Sequence, residues 1–365
     1  MAAALFAPAA FALGPPRELT VGAKLTLPRE THATSLAIGP EGLPWFGVAG
    51  PSRTDLGEPS TEVIYHVTTG DELATVPLPA SAPHYWGTTH VAFGPEGSLW
   101  FSRATTGLSI GRLASDGQVT EFPVAMGEAD VGDFTVGPEG DAWFTLPYDG
   151  LIGRMTPDGA LTEYAVGPKG RPQGVTVSTG AAWFTEEQAG RVGRIDPSGA
   201  ISFYPLGRGV HPQDIVADPA GNLWFGENAH RQRRPNGQIT VVDRIGQLDS
   251  AGQLRQINVP FGSGTVSLLA DPRGSIWFTT GDGEIGSIST TTEAFGGRRC
   301  LPAGCAFPPA GFGFSPDGTL WWGAGVEQCN HCGGGTGLLS EEQPGQLGSA
   351  APGAFAAPNR LVPTN

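Results

Sequence analysis

The segment STGAAWFTEEQAGRVGRIDPSGAISFYP, residues 178–205, contains every element of a unit that recurs along this chain. A turn tripeptide leads into the aromatic pair Trp183-Phe184, and a Val-Gly-Arg-Ile run then leads through a second glycine turn into alternating apolar residues. Two hairpins in succession predict four short antiparallel strands. A unit of about 40 residues with this content is typical of one propeller blade.

The aromatic pair occurs seven times, each time after a turn tripeptide that ends in glycine. The pairs are Trp45-Phe46, Trp100-Phe101, Trp143-Phe144, Trp183-Phe184, Trp224-Phe225, Trp277-Phe278 and Trp321-Trp322. Since glycine accepts positive φ, each tripeptide predicts a hairpin between two strands. One blade cannot bury both of its faces alone. The repeat therefore predicts an all-β, seven-bladed β-propeller with four-stranded antiparallel blades, in which the aromatic pairs pack blade against blade.

The repeats run without a linker, which predicts a single propeller domain over residues 18–365 with a Gly-rich, Cys-containing seventh blade and tail. Residues 18–28 resemble an outer strand, so we expect the N-terminal strand to close the last blade. Residues 1–12 are apolar and end in Ala10-Phe11-Ala12, which predicts a signal-peptide remnant and a secreted or extracytoplasmic protein. The alternative is an apolar terminus without that role.

Composition excludes some classes of partner. The formal charge is −14 with only 21 Lys and Arg residues, which argues against binding a phosphate backbone. Beyond the N-terminus, no run approaches the ~18 apolar residues that a membrane span needs. We expect a monomer that binds a small molecule, glycan or peptide, with no nucleic acid and no membrane span.

The four cysteines lie late in the chain, around the seventh aromatic pair. They are Cys300, Cys305, Cys329 and Cys332. In an exported protein two disulfides would connect loops with little core of their own. The alternative is a four-thiolate zinc site, since closely spaced cysteine pairs converge on a tetrahedral ion and His331 lies inside the second pair. The sequence leaves both open.

Functional residues are expected at the channel mouth, where loops from several blades meet. The loops that enter the innermost strands and those that leave the next strands supply most of the candidate binding residues: His32, Arg103, Asp133, Gln173, Glu186, Gln213 and Asn228. His84-Tyr85-Trp86 adds a platform for a sugar or peptide ring. His90, His211 and Glu227 are candidates for acid–base chemistry or metal ligation. The alternative is that these side chains only solvate loops.

The recurrent Pro-Asp/Glu-Gly-x-Leu-Trp-Phe-Thr-Glu text, followed by Ile-Gly-Arg-Ile, resembles the streptogramin lyase family, typified by virginiamycin B lyase. The resemblance covers nearly the whole chain. It implies a seven-bladed propeller that opens a cyclic depsipeptide by elimination across its ester, with a magnesium ion and a histidine base at the channel mouth.

The resemblance also implies where the catalytic residues would lie. The family has Pro-His segments leading into its last two blades and a glutamate four residues after the last blade tryptophan. The matching positions here are Thr265-Val266, Pro309-Ala310 and Gly325. We therefore expect the catalytic positions not to be retained, because valine and alanine cannot remove a proton or hold a divalent cation.

Three functions stay open. The leading hypothesis is a secreted streptogramin-lyase-like propeller that binds a small molecule, sugar or peptide at its channel mouth. A second is a lyase, or a lactonase, that uses magnesium or calcium through His90, His211, Glu186 and Glu227. A third is a non-catalytic interaction propeller on the cell envelope.

Overall fold

The structure is a computed structural model that describes residues 17–18, 24–26, 32–49, 63–79, 88–104, 107–124, 131–167, 169–233, 239–260, 264–281, 284–296, 299–300, 311–324 and 346–350. Within these ranges all regular secondary structure is β-strand. The same ranges hold no helix with the length and apolarity that crossing a bilayer requires.

The strands form six four-stranded sheets and one five-stranded sheet in the described part of the chain. The first sheet contains β3 (His32–Ile38), β4 (Pro44–Ala49), β5 (Val63–Val67) and β6 (Leu73–Pro77). The second contains β7 (Thr88–Phe93), β8 (Leu99–Ala104), β9 (Leu108–Leu113) and β10 (Val119–Val124). The third contains β11 (Phe134–Val136), β12 (Ala142–Leu146), β13 (Leu151–Met155) and β14 (Leu161–Ala165).

The fourth and fifth sheets contain β15 (Pro172–Ser178), β16 (Ala181–Glu186), β17 (Arg191–Ile195) and β18 (Ile201–Pro205); and β19 (His211–Ala217), β20 (Leu223–Arg233), β21 (Ile239–Leu248) and β22 (Leu254–Asn258). The sixth sheet contains β23 (Thr265–Asp271), β24 (Ser275–Thr280), β25 (Glu284–Ser289), β26 (Arg299–Cys300) and β1 (Arg17–Glu18). The last, here called the closing sheet, contains β27 (Gly311–Phe314), β28 (Leu320–Ala324), β29 (Gln346–Ala350) and β2 (Lys24–Thr26).

Consecutive strands pair antiparallel, so each sheet is a meander whose first strand is innermost. The first strands contact one another in chain order, and β27 of the closing sheet contacts β3 of the first. Four-stranded antiparallel sheets of this kind are the blades of a propeller, and in the sixth sheet β1 adds a parallel outer strand beside β26. The inner strands surround a central channel.

The predicted glycine turns are confirmed. The seven turn glycines all have positive φ, between 74° and 91°: Gly42, Gly97, Gly140, Gly180, Gly221, Gly274 and Gly318. Each lies between the first and second strands of its sheet. A residue with a Cβ is rarely stable there, which explains why the turn glycine recurs in every unit.

The two halves of the repeated motif are cross-strand partners. In the fourth sheet Phe184 faces Gly193, and Trp183 faces Arg194. A Cβ at Gly193 would overlap the Phe184 ring, so glycine provides the room for the aromatic side chain. The Arg194 guanidinium lies 5.5 Å from the Trp183 ring centroid, a favourable cation–π contact. The spacing between Trp-Phe and Gly-Arg thus follows from the hairpin register.

The tryptophans pack sheet against sheet, as the sequence predicts. Trp143 of the third sheet shares a core with Val175 and Ala182 of the fourth. Trp277 of the sixth sheet packs against Phe312 of the closing sheet. Burial of an apolar side chain of this kind stabilises the fold by roughly 2–3 kcal/mol. The core is therefore a series of inter-sheet layers around the channel.

An N-terminal strand and the last described strand meet in the closing sheet. Lys24 to Thr26 pair antiparallel with Gly348 to Gln346. Of the predicted segment 18–28, β2 therefore joins the last sheet as expected, whereas Glu18 in β1 pairs with β26 of the sixth sheet. Trp321 packs on Ala33 and adjacent core residues of the first sheet, so the same tryptophan contact also joins the last unit to the first.

Candidate binding site in the central channel

The inner strands carry β-bulges at the level of the channel. Register shifts precede Ser35 in the first sheet and His90 in the second, and similar shifts occur in the fourth, fifth and sixth sheets. A bulge removes backbone amides from the ladder, and these amides need other partners.

The hydroxyl group of the residue that follows the aromatic pair accepts a hydrogen bond from one of these amides. Ser102 Oγ accepts a hydrogen bond from the His90 amide at 3.1 Å, and Thr185 Oγ1 accepts one from the Gly174 amide at 2.9 Å. Thr185 Oγ1 also donates to the Gln213 carbonyl of the fifth sheet. The Ser or Thr of Trp-Phe-Ser/Thr therefore connects the inner strand to its own sheet and, at Thr185, to the next sheet.

Two carboxylates join neighbouring sheets at the channel wall. Asp133 Oδ2 accepts a hydrogen bond from the Val175 amide at 2.8 Å, and Asp214 Oδ2 accepts one from the Leu268 amide at 2.6 Å. Each also accepts the amide of the residue that follows it, at 2.7 Å. Hydrogen bonds to ionised acceptors are stronger than neutral ones. Asp133 and Asp214 therefore link the third to the fourth sheet and the fifth to the sixth.

The fourth and closing sheets have glycine at the corresponding inner position. A Cβ at Gly174 would lie 2.8 Å from the Gln213 carbonyl oxygen and from the Ile215 amide nitrogen. A Cβ at Gly311 would lie 2.6 Å from the Leu36 amide nitrogen. Here the neighbouring inner strands approach backbone to backbone, and a side chain does not fit.

The inner strands enclose a cavity of about 360 Å³. Its volume lies within the range of small-molecule sites. The polar side chains on its wall come from six of the sheets: Thr34, Ser35, His90, Asp133, Thr135, Gln173, Thr176, Gln213, Asp214 and Ser267. Its described lining includes two carboxyl groups and no Lys or Arg side chain.

Burial in the channel changes the ionisation of three of these groups. It raises the pKa of Asp214 to about 6. Burial, and next the negative charge of Asp214, raise the pKa of Asp133 well above its usual value. Burial lowers the pKa of His90 to about 4, which keeps its imidazole neutral at pH 7. Burial therefore disfavours the charged form of each of these three groups.

Four residues that the sequence singled out line this cavity: His90, Asp133, Gln173 and Gln213. Asp214 was missed. The available signal was the matching position of Asp133 and Asp214, each directly before an apolar residue of an inner strand. Gln173 also donates to Glu187 Oε2 at 3.3 Å, so it connects the cavity to the outer rim. His211 is exposed, with Nδ1 3.3 Å from the Glu187 carbonyl oxygen.

Three other predicted residues lie inside the sheets and do not line the channel cavity. Arg103 is 2 % exposed and pairs with Glu121 at 2.6 Å. Glu186 is fully buried and bonds to the Arg191 guanidinium. Arg103 and Glu186 therefore do not lie at the channel mouth as expected. Strand alternation directs the third residue after each blade tryptophan into the interior between the sheets.

Glu227 occupies the same position in the fifth sheet and is fully buried. It accepts a hydrogen bond from Gln256 Nε2 at 2.8 Å, and burial raises its pKa. The candidate trio thus divides among three environments. His90 is in the channel, His211 is on the surface, and Glu227 is within a sheet.

The remaining predicted residues, or their side chains, lie outside the part of the chain that the structure describes. This applies to residues 1–12, to His84 and Trp86, to Cys305, Cys329 and Cys332, and to the side chains of His32, Asn228 and Cys300. The pairing of the cysteines stays a prediction. Among the side chains that the structure describes, no group of three or more His, Cys, Asp or Glu is arranged to hold a metal ion.

A sequence profile described as the virginiamycin B lyase family matches residues 23–241. The chain belongs to this family. The match spans the first four sheets and continues into β21 of the fifth, and so includes the channel residues His90, Asp133, Gln173, Gln213 and Asp214. No curated protein sequence matches the chain significantly.

Solved structures with this fold include virginiamycin B lyase from Staphylococcus aureus, with 21 % identity and a TM-score of 0.68 over 90 % of this chain and 98 % of that one. A catalytically inactive variant of the Staphylococcus aureus enzyme with quinupristin gives 23 % identity and a TM-score of 0.67, over 89 % and 98 %. YCF48 bound to D1 peptide gives 12 % identity and a TM-score of 0.59, over 92 % and 99 %. At these identities the likeness shows the fold alone.

The virginiamycin B lyase family match ends before the sixth sheet begins at Thr265. Val266 and Ala310, at which the resemblance would require histidines, therefore lie beyond the matched region. In this family member the polar part of the channel wall in the matched region consists of amide, hydroxyl and carboxyl groups and a neutral imidazole. Such a wall can bind a ligand through many hydrogen bonds.

Proposed function

We propose that this virginiamycin B lyase family member is a secreted, seven-bladed propeller that binds a small polar molecule, neutral or cationic, in its central channel. The observation that supports this best is the convergence of His90, Asp133, Gln173, Gln213 and Asp214, from four successive sheets, around one cavity of about 360 Å³. The signal-like residues 1–12 support export, and the seven aromatic pairs support the count of blades.

Electrostatics restricts the class of ligand. The described cavity lining has two carboxyl groups without a cationic side chain, within a chain of net charge −14. An anionic ligand would be repelled and would find no basic partner. A neutral polyol, an amide or an amine matches the wall better, because glutamine, serine and threonine offer both donors and acceptors.

Binding is better supported than streptogramin ring opening. A general base works best with a pKa near the working pH, and burial lowers the pKa of His90 to about 4. The sequence places Val266 and Ala310 where the resemblance requires histidines. No described set of side chains fits a divalent ion, so no step of a mechanism is assigned to magnesium or calcium.

Isothermal titration calorimetry with glucose, N-acetylglucosamine, glycylglycine amide, spermidine and quinupristin tests this proposal. We expect at least one neutral or cationic probe to bind, and Gln213→Ala to weaken it about tenfold or more, because a lining amide is removed. Phe203→Ala, on an outer strand, is the matched control and should bind like the parent. If no probe binds, or if Gln213→Ala leaves binding unchanged, the channel proposal fails.

Chromatography of quinupristin incubated with the protein and magnesium separates the lyase alternative. We expect the cyclic depsipeptide to stay intact. A linear product whose formation requires His90 would overturn the assignment as a binding protein and support a catalytic one.

A further inference from the structure

One exposed aromatic residue lies in the loop that leaves the second strand of the third sheet. Tyr148 is in the turn between β12 and β13 and is 54 % exposed, the highest value among the large apolar side chains that the structure describes. The turns after second strands and the starts of inner strands lie at the same end of a propeller sheet, since the strands are antiparallel. Tyr148 is therefore at the end of the channel where the inner strands begin.

Tyr148 is held by a cation from the neighbouring sheet. The Arg171 guanidinium carbon lies 5.6 Å from the Tyr148 ring centroid, which fixes one side of the ring. Arg171 precedes β15 and has a φ of 53°, in the left-handed region that is costly for a side chain with a Cβ. Such backbone strain is found where the surrounding contacts impose it.

A row of polar groups continues from Arg171 into the channel. Arg171 Nη1 lies 3.3 Å from Glu187 Oε2, and Gln173 Nε2 lies 3.3 Å from the same oxygen. Gln173 also lines the cavity. The Glu187 carbonyl oxygen lies 3.3 Å from Nδ1 of His211 on the fifth sheet. Tyr148, Arg171, Glu187, Gln173 and His211 thus form one continuous rim, here called the aromatic rim.

The aromatic rim matches the two faces of a sugar ring. The exposed part of Tyr148 offers an apolar plane with a polar edge, which suits the C–H face of a pyranose. Beside it Arg171, Glu187 and Gln173 offer planar polar groups, both donors and acceptors, of the kind that hydrogen-bond sugar hydroxyls. Arg171 and Glu187 neutralise each other, since Nη1 and Oε2 lie 3.3 Å apart. The rim therefore favours a neutral ligand.

We infer that the aromatic rim is a subsite for a neutral pyranose glycan, whose ring stacks on Tyr148 and whose next residue reaches the channel at Gln173. This inference rests on the channel proposal and specifies its ligand class. A peptide whose amide plane packs on Tyr148 would be the competing outcome.

The test is calorimetric titration with cellohexaose, maltohexaose, mannohexaose and N-acetylchitohexaose. We expect one of these glycans to bind, Tyr148→Ala to weaken it about tenfold or more, and Tyr148→Trp to keep affinity within about threefold, because stacking needs the ring and not the hydroxyl. Phe203→Ala removes an outer-strand aromatic side chain and should leave affinity unchanged. Circular dichroism checks that each variant folds.

Several outcomes overturn the inference. Binding of none of the four glycans by the parent protein does so, as does equal affinity in Tyr148→Ala. If Gln213→Ala weakens glycan binding and Tyr148→Ala does not, the channel proposal stands and the rim subsite fails. If neither substitution affects a glycan that binds, both fail. A Tyr148-dependent affinity for glycylglycine amide but for no glycan assigns the rim to peptides and also overturns it.

Discussion

One equivalent position of the inner strands is an aspartate in the third and fifth sheets and a glycine in the fourth and closing sheets. Asp133 and Asp214 extend carboxylates to amides of the next sheet, at 2.8 and 2.6 Å. Gly174 and Gly311 have no side chain, and the next inner strand approaches the backbone itself. The same problem, the spacing of neighbouring inner strands, is solved by a hydrogen-bonded linker in one case and by close packing in the other.

The difference shows that one position can serve both stability and ligand binding. The glycines contribute only space, so they can be tested by adding volume. The aspartates contribute hydrogen bonds and charge, and they lie on the wall of the cavity. Substitutions at the two kinds of position separate these contributions.

Adding volume at the close approach should give the largest effect. Gly174→Val places a side chain where a Cβ already lies 2.8 Å from two backbone atoms of the fifth sheet, which cannot move independently. We expect the free energy of unfolding to fall by about 3 kcal/mol. Chemical denaturation measures this. Gly107→Val, at a glycine with no heavy atom within 4 Å, is the control. Equal stability of the two variants would show that the inner strands are not closely packed.

Removing a carboxylate linker should have a smaller effect. Asp214→Ala leaves the Ile215 and Leu268 amides without this acceptor, which we expect to cost about 2 kcal/mol. Denaturation at pH 5 is the appropriate measurement. The pKa of Asp214 is about 6, so this carboxyl group is mostly protonated at pH 5. Its removal then relieves little charge repulsion, and the measured change reports the lost hydrogen bonds. Asp116→Ala, which removes an acceptor in an exposed turn, is the matched control. A stability unchanged by Asp214→Ala would rule out the linker.

Acid sensitivity should distinguish His90 from the aspartates. Burial lowers the pKa of His90 to about 4, so its contribution to stability is present above pH 6.5 and is lost as the pH falls towards 4. Burial raises the pKa of Asp214 to about 6, so its contribution has the opposite sign and is lost as the pH rises through 6. The raised pKa of Asp133 acts in the same direction as that of Asp214. The histidine and the aspartates oppose each other between pH 4 and 6.5.

His90→Gln should therefore remove the part of the acid-induced fall in stability that His90 causes. Between pH 7 and pH 5 we expect the variant to gain stability relative to the parent by about 1–2 kcal/mol. Scanning calorimetry at the two pH values measures the difference. The control is His211→Gln, which changes an exposed histidine outside the channel. A variant with the same pH dependence as the parent would contradict the burial of His90.

The smallest change concerns the hydroxyl after the aromatic pair. Thr185→Val removes the acceptor of the Gly174 amide and the donor to the Gln213 carbonyl, with little change in volume. We expect a loss of about 1 kcal/mol in the free energy of unfolding. Thr120→Val on the exposed face of the outer strand β10 should change stability little. If both substitutions behave alike, the hydroxyl does not connect the sheets.

The repeat predicts the fold well because its signals are local. Glycine with positive φ closes each turn, and the pairs Phe184 with Gly193 and Trp183 with Arg194 follow from a simple hairpin register. The packing of each tryptophan on the next sheet follows from the need to cover both faces of a blade. The N-terminal strand completes the closing sheet for the same reason.

The site was only partly predictable, because a bulge shifts the register and gives no clear sequence signal. Gln213 was identified from its place near the start of an inner strand, but Asp214, one residue later, was missed. Counting from the tryptophan predicts Arg103, Glu186 and Glu227 at the channel mouth, although strand alternation buries their side chains within the sheets. Tyr148 lies five residues after Trp143, beyond the positions that the repeat suggested.

The closing sheet also has a kinetic consequence. Its outer pair joins Thr26 to Gln346, two segments far apart in sequence, so we expect this pair to form late in folding. Contacts so far apart in sequence are formed late and slow down folding. Conversely, contacts that are absent from the transition state mainly slow unfolding when they are strengthened. Substitutions in β2 should therefore change the lifetime of the folded protein more than the rate at which it forms.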